Sequence, residues 1–121
     1  MKKILVVDDE ENIRFVLDDL LNTDYAVSLA ANGREALALA DKTVFDLLIT
    51  DLVMPEMNGI ELVIAVKNKI PNQKIIAMSG GGGITGRFDY LPVVQLLGAD
   101  KIFAKPFDML EFLAAVKATL A

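Results

Sequence analysis

Four continuous apolar runs each stop at a residue suited to binding a phosphate or the cation beside it. Ile4 to Val7 stop at Asp8-Asp9, Leu47 to Thr50 at Asp51, Ile75 to Met78 at Ser79, and Ile102 to Ala104 at Lys105. The runs are unbroken instead of alternating, which is how strands read when helices cover both faces of a parallel sheet. Parallel neighbours need crossover connections, so the intervening segments must be helical. In such a sheet the carboxyl ends of the strands share one edge, and ligands bind there where the strand order reverses.

The segments between the runs carry helical signals. Over Asn12 to Leu21, the residues Ile13, Val16, Leu17, Leu20 and Leu21 fall at helical spacing, with Arg14, Asp18 and Asp19 opposite. Tyr25 to Ala30 reads as a further short strand. Asn32-Gly33-Arg34-Glu35, Asn58-Gly59-Ile60-Glu61 and Asp108-Met109-Leu110-Glu111 each place a capping residue three positions before a Glu. They open helical runs over Ala36 to Ala40, Leu62 to Lys69 and Phe112 to Leu120. Pro71 ends the third helix. A short helix is predicted around Tyr90 to Leu97, starting late because Pro92 is tolerated only in a first turn. The fold predicted is α/β: a flavodoxin-like, doubly wound (βα)5 domain over residues 1–121, its five-stranded parallel sheet ordered 2-1-3-4-5. Phe15, Phe45, Phe107 and Phe112 are assigned to the core, as are Met54, Met57 and Met78.

Composition excludes several chemistries. The 121 residues include no His and no Cys. A Ser-His-Asp or Cys-His arrangement, a His-bound zinc and disulfides are therefore out of reach. The net charge is -5 with scattered Lys and Arg, which lacks the footprint of a nucleic-acid surface. No apolar stretch approaches a membrane span, and the opening residues do not form a secretory leader, so a cytoplasmic location is expected.

Three carboxylates at one sheet edge repel one another and need compensation. A divalent cation supplies it, and magnesium suits an all-oxygen site with one or two direct carboxylates. Asp9 and Asp51 are the direct candidates, with Asp8 acting through water. Lys105 adds a second positive charge, the arrangement a transferring phosphoryl group requires. Asp51, alone at the end of the central run, is the candidate nucleophile, and Ser79 is placed to donate its hydroxyl to a phosphoryl oxygen. Taken alone, Asp8 to Glu11 reads as a solvated helix start, and Ser79 with Gly80 to Gly83 as a turn. The combination is what points to chemistry.

Val6 to Glu10, Asp46 to Asp51 with Met54 to Gly59, Ser79, and Gly98-Ala99-Asp100 leading to Lys105-Pro106-Phe107 together resemble the receiver domain of two-component response regulators, over essentially the whole chain. The resemblance implies a phosphoacceptor switch, not an enzyme in its own right. Asp51 would take phosphate from a sensor histidine kinase or a histidine phosphotransfer protein. Asp8, Asp9, Asp51 and the Val53 carbonyl would organise Mg2+, and Ser79 and Lys105 would contact the phosphoryl group. It also implies a cis Lys105-Pro106 bond, an unknown downstream protein target and a possible homodimer on phosphorylation. Either a stand-alone regulator or an excised receiver is expected.

Two features depart from that pattern. The spacing from Ser79 to Lys105 is long, with the surplus at Gly80 to Gly83 and beyond. Ile102 stands where many receivers carry a switch aromatic, while Phe103 faces the other way. Switching is therefore expected to reside in the glycine-rich loop, with Gly80 and Gly81 recruited to the phosphate. Because Pro92 makes the helix near it late and short, dimerisation through that face is also less favoured. A haloacid-dehalogenase-like phosphatase would need a second Asp at position 53, a flavodoxin-like carrier more aromatic residues to hold a flavin, and a pseudo-receiver would not keep Asp9, Asp51 and Lys105.

Overall fold

The structure, a computed structural model, describes residues 1–54, 57–79 and 97–121. Five strands and four helices alternate through them: β1 Lys3–Val7, α1 Glu11–Leu21, β2 Ala26–Ala30, α2 Gly33–Lys42, β3 Leu47–Asp51, α3 Gly59–Lys69, β4 Ile75–Ser79, β5 Lys101–Ala104 and α4 Met109–Leu120. The strands form one sheet, all pairs parallel, in the order β2-β1-β3-β4-β5. The expected topology is thus present, with β3 at the centre. The expected helix around Tyr90 to Leu97, save Leu97 itself, and the loop assigned a switching role, Gly80 to Asp89 with Gly80 and Gly81, lie outside the described residues.

Alternation along each strand divides the core into two layers. Leu5, Val7, Leu48, Ile75 and Ala77 pack with Ala36 of α2 and with Leu62, Val63 and Val66 of α3. Ile4, Val6, Leu47, Ile49, Ile76 and Met78 pack with Leu17 and Leu21 of α1 and with Phe112, Val116 and Leu120 of α4. All five residues of β3 are buried. Each large side chain removed from water in this way contributes about 1.5–3 kcal/mol. Phe103, Phe107 and Phe112 form an aromatic cluster on the α4 side, with Phe107 and Phe112 stacked at 4.7 Å between centroids.

Two core assignments on α1 need correction. Phe15 is 58% exposed and Val16 43% exposed. At 3.6 residues per turn, Phe15 lies about 200° around the helix from both Ile13 and Leu17, so it points away from the sheet when they point toward it. The buried stripe is Leu17 and Leu21, flanked by half-buried Ile13 and Leu20; Val16 sits at its edge.

The three expected caps hold, with one change in detail. Asn32 and Asn58 accept from the N–H groups of Glu35 and Glu61, both at 2.9 Å. Asp108 accepts from both Leu110 and Glu111. The reciprocal half of a capping box forms at α2, where Glu35 Oε1 accepts from the N–H of Ala31, one residue before the cap. Each helix start is thereby fixed against the sheet edge by satisfying donors that the helix itself leaves unpaired.

Candidate functional site

The carboxyl ends of β1, β3, β4 and β5 meet along one edge. Register places Val7 beside Thr50, Asp51 beside Met78, and Ser79 beside Ala104. Asp8 and Asp9 follow β1, Asp51 closes β3, Ser79 closes β4 and Lys105 follows β5. Carboxylate oxygens of Asp8, Asp9 and Asp51 lie within 4.8 Å of one another, with Asp8 and Asp51 buried and Asp9 exposed. The sheet thus brings together residues 43 positions apart without any local motif linking them.

Asp8 is held from every side. Its N–H donates to the Ala30 carbonyl at 3.2 Å, Oδ1 accepts from the N–H of Glu10 at 2.9 Å, and Oδ2 accepts from Lys105 Nζ at 2.7 Å. Its carbonyl, just past the end of β1, accepts from Arg14 Nη1 at 2.8 Å. With both carboxylate oxygens engaged, Asp8 suits an indirect role toward a cation better than a direct one. Lys105 Nζ also stands 3.6 Å from Asp51 Oδ1 and 3.8 Å from Glu10 Oε1. Burial pulls the Lys105 ammonium down, but the Asp8 hydrogen bond and the charges of Asp51, Asp8 and Glu10 outweigh it, and its pKa is raised.

Asp51 is 4% exposed. Its Oδ1 accepts from the N–H of Leu52 at 3.0 Å, and the Thr50 hydroxyl donates to its carbonyl at 2.9 Å. Desolvation raises its pKa from 3.8 to about 6, with the Asp8 charge adding to the rise and Lys105 opposing it. One ammonium is therefore insufficient compensation for three carboxylates. The donor set is all oxygen, partly buried and open through Asp9, and it fits a hard divalent cation such as magnesium.

The remaining expected residues take definite places. Ser79 is half-buried at the end of β4, and its carbonyl accepts from the N–H of Lys105 at 2.8 Å. Val53 is exposed, two residues after Asp51. Ile102 is half-buried in the layer under α2 and α3, whereas Phe103 packs on the opposite layer. The Lys105-Pro106 bond is cis, as expected, and Pro106 is exposed.

Two contributors escaped the sequence reading. Gly59 was taken only as part of a cap, yet a Cβ there would stand 2.2 Å from the Asp51 carbonyl oxygen and 2.6 Å from the Leu52 Cα. Its N–H donates to the Leu52 carbonyl at 3.0 Å, closing the loop that follows Asp51. Arg14 was assigned to the solvent side of α1. Its one signal was a cation in the first turn of a helix, where the macrodipole disfavours it.

A sequence profile described as "Response regulator receiver domain" matches residues 4–117. The chain belongs to that family. It is 38% identical over 117 residues to sporulation initiation phosphotransferase F of Bacillus subtilis, covering 96% of this chain and 91% of that protein. It is 35% identical to response regulator ArlR of Staphylococcus saprophyticus, covering 99% of this chain but 53% of the relative, so it spans about half the length of that protein. Among solved structures, chemotaxis protein CheY4 of Vibrio cholerae matches at 33% identity with a TM-score of 0.85, covering 99% of both chains. Response regulator TrrA of Thermotoga maritima, solved in complex with Mg2+ and BeF, matches at 35% identity with a TM-score of 0.84, covering 99% of this chain and 100% of that one. This receiver domain is thus a phosphoacceptor of two-component signalling, a switch in function. No helix among its described residues is long and apolar enough to cross a membrane.

Proposed function

We propose that this receiver accepts phosphate on Asp51 from the phosphohistidine of a sensor histidine kinase or a histidine phosphotransfer protein, in a Mg2+-dependent step in the cytoplasm. The observation that carries this reading is the position of Asp51: buried at the end of the central strand, with two carboxylates and the Lys105 ammonium close by. An Asp51 carboxylate oxygen attacks phosphorus, the phosphorus–nitrogen bond of the donor breaks, and the imidazole leaves with the electron pair and takes up a proton. Magnesium, held by Asp9, Asp51 and the Val53 carbonyl with Asp8 acting indirectly, would neutralise charge on the phosphoryl oxygens. Lys105 turns from Asp8 toward the acyl phosphate, and Ser79 donates its hydroxyl to a phosphoryl oxygen.

TrrA, 35% identical to this chain, was solved in complex with Mg2+ and BeF, which supports Mg2+ as the cation. Output passes through protein contacts near the site, where Pro106 is exposed; a homodimer is one form such a contact could take. Gly80, Gly81 and Ile102 are the residues assigned to the readout. Incubation with acetyl phosphate tests the chemical half. Base-stable incorporation, or incorporation undiminished by a magnesium chelator, would rule out a Mg2+-dependent acyl phosphate; base-labile incorporation abolished by the chelator is expected.

A further inference from the structure

We infer that Arg14 is a positioning residue for the acidic site, fixing the Asp8–Asp9 turn so that its carboxylates face a cation. This rests on the Mg2+ reading above. The carbonyl of Asp8 lies one residue beyond β1, where the sheet no longer supplies a partner, and Arg14 Nη1 reaches back from the first turn of α1 to donate to it at 2.8 Å. Because a peptide unit is planar, holding the Asp8 carbonyl also fixes the direction of the Asp9 N–H and limits where the Asp9 side chain can swing. The Asp8 side chain is already fixed by Glu10 and Lys105, so Asp9, the exposed member of the trio, is the one whose orientation depends most on this bond.

The location argues against a role in helix stability. The positive end of α1 disfavours a cation in its first turn, and the cap residue Glu10 makes no side-chain cap. What offsets that cost is the hydrogen bond to the Asp8 carbonyl. Partners of this kind, which orient ligands without touching the metal, typically change metal affinity by 10–100-fold when removed.

Charge and positioning predict opposite signs. Removing a positive charge beside a cation site strengthens cation binding if charge alone matters. Removing a clamp weakens it. Mg2+ titrations followed by calorimetry and by amide NMR shifts of Asp8 to Glu10 would compare the native chain with Arg14→Ala, Arg14→Lys and Arg14→Gln, after circular dichroism confirms the fold of each. About tenfold weaker binding is expected for Arg14→Ala, with Arg14→Lys recovering part of the loss. Equal or tighter binding in Arg14→Ala or, if that variant fails to fold, in Arg14→Gln overturns the inference. No saturable Mg2+ binding by the native chain would instead overturn the metal reading beneath it.

Discussion

Lys105 Nζ lies 2.7 Å from Asp8 Oδ2 and 3.6 Å from Asp51 Oδ1. The ammonium at this acidic site is thus seated on Asp8, the carboxylate neighbouring Asp51. In the proposed transfer the ammonium shifts toward Asp51, which lies within reach of the same side chain. Lys105→Met removes the ion pair and leaves Asp8 fully buried without its counter-charge. Breaking a buried pair from one side costs about 3–5 kcal/mol, so a large fall in the urea midpoint is expected, with Asp8→Asn, Lys105→Met regaining much of it. Equal stabilities for the single and double variants would contradict the pairing.

The raised pKa of Asp51 makes stability depend on pH. A carboxyl raised from 3.8 to about 6 by burial binds a proton in the folded chain that the unfolded chain releases. Its contribution is fully present below pH 3.8 and is lost as pH rises through about 6. The loss is on the order of 3 kcal/mol. In the absence of magnesium, Asp51→Asn should therefore melt higher than the native chain near neutral pH, with the difference shrinking toward pH 4. The same difference at both pH values would show that Asp51 does not titrate as described.

Gly59 sets how closely α3 approaches the end of β3. With a Cβ 2.2 Å from the Asp51 carbonyl oxygen, Gly59→Ala must displace backbone, because no flexible side chain is there to yield. Overpacking of this kind costs about 1–3 kcal/mol. Phosphorylation by acetyl phosphate should slow as well, since the displaced atoms belong to Asp51 itself. Thermal melts and initial rates of incorporation check both parts, and a variant matching the native chain in each would refute the account of this glycine.

The corrected face of α1 offers a contrast in stability. Phe112 is fully buried and Phe15 is 58% exposed. Phe112→Ala should cost about 3–5 kcal/mol, and Phe15→Ala within about 0.5 kcal/mol. Urea denaturation of the two variants measures the difference, and comparable losses would return Phe15 to the core.

Much of this was legible because the signals were local. Each buried strand of the inner sheet announced itself as an unbroken apolar run, and Asn32, Asn58 and Asp108 marked their helices by hydrogen bonds reaching only two or three residues. Asp8, Asp9, Asp51 and Lys105 could be placed together once the strands were parallel, since a parallel sheet puts all their ends on one edge. What escaped depended on angles and approach distances. The face of Phe15 turns on helix phase, the need for glycine at 59 on contact with backbone seven and eight residues earlier, and the bond from Arg14 on a side chain folding back against its own helix. Of the three, only the glycine leaves no pattern in residue types: helix phase relative to Ile13 and Leu17 already turned Phe15 outward, and a cation in the first turn marked Arg14.

The central claim is that Asp51 is the phosphoacceptor. Intact-mass measurement of the native chain and of Asp51→Asn, after incubation with acetyl phosphate and Mg2+, tests it most directly. The native chain is expected to gain the mass of one phosphoryl group and lose it on mild base treatment, while Asp51→Asn gains none. An equal gain in both, or none in the native chain while Mg2+ is bound, would contradict it.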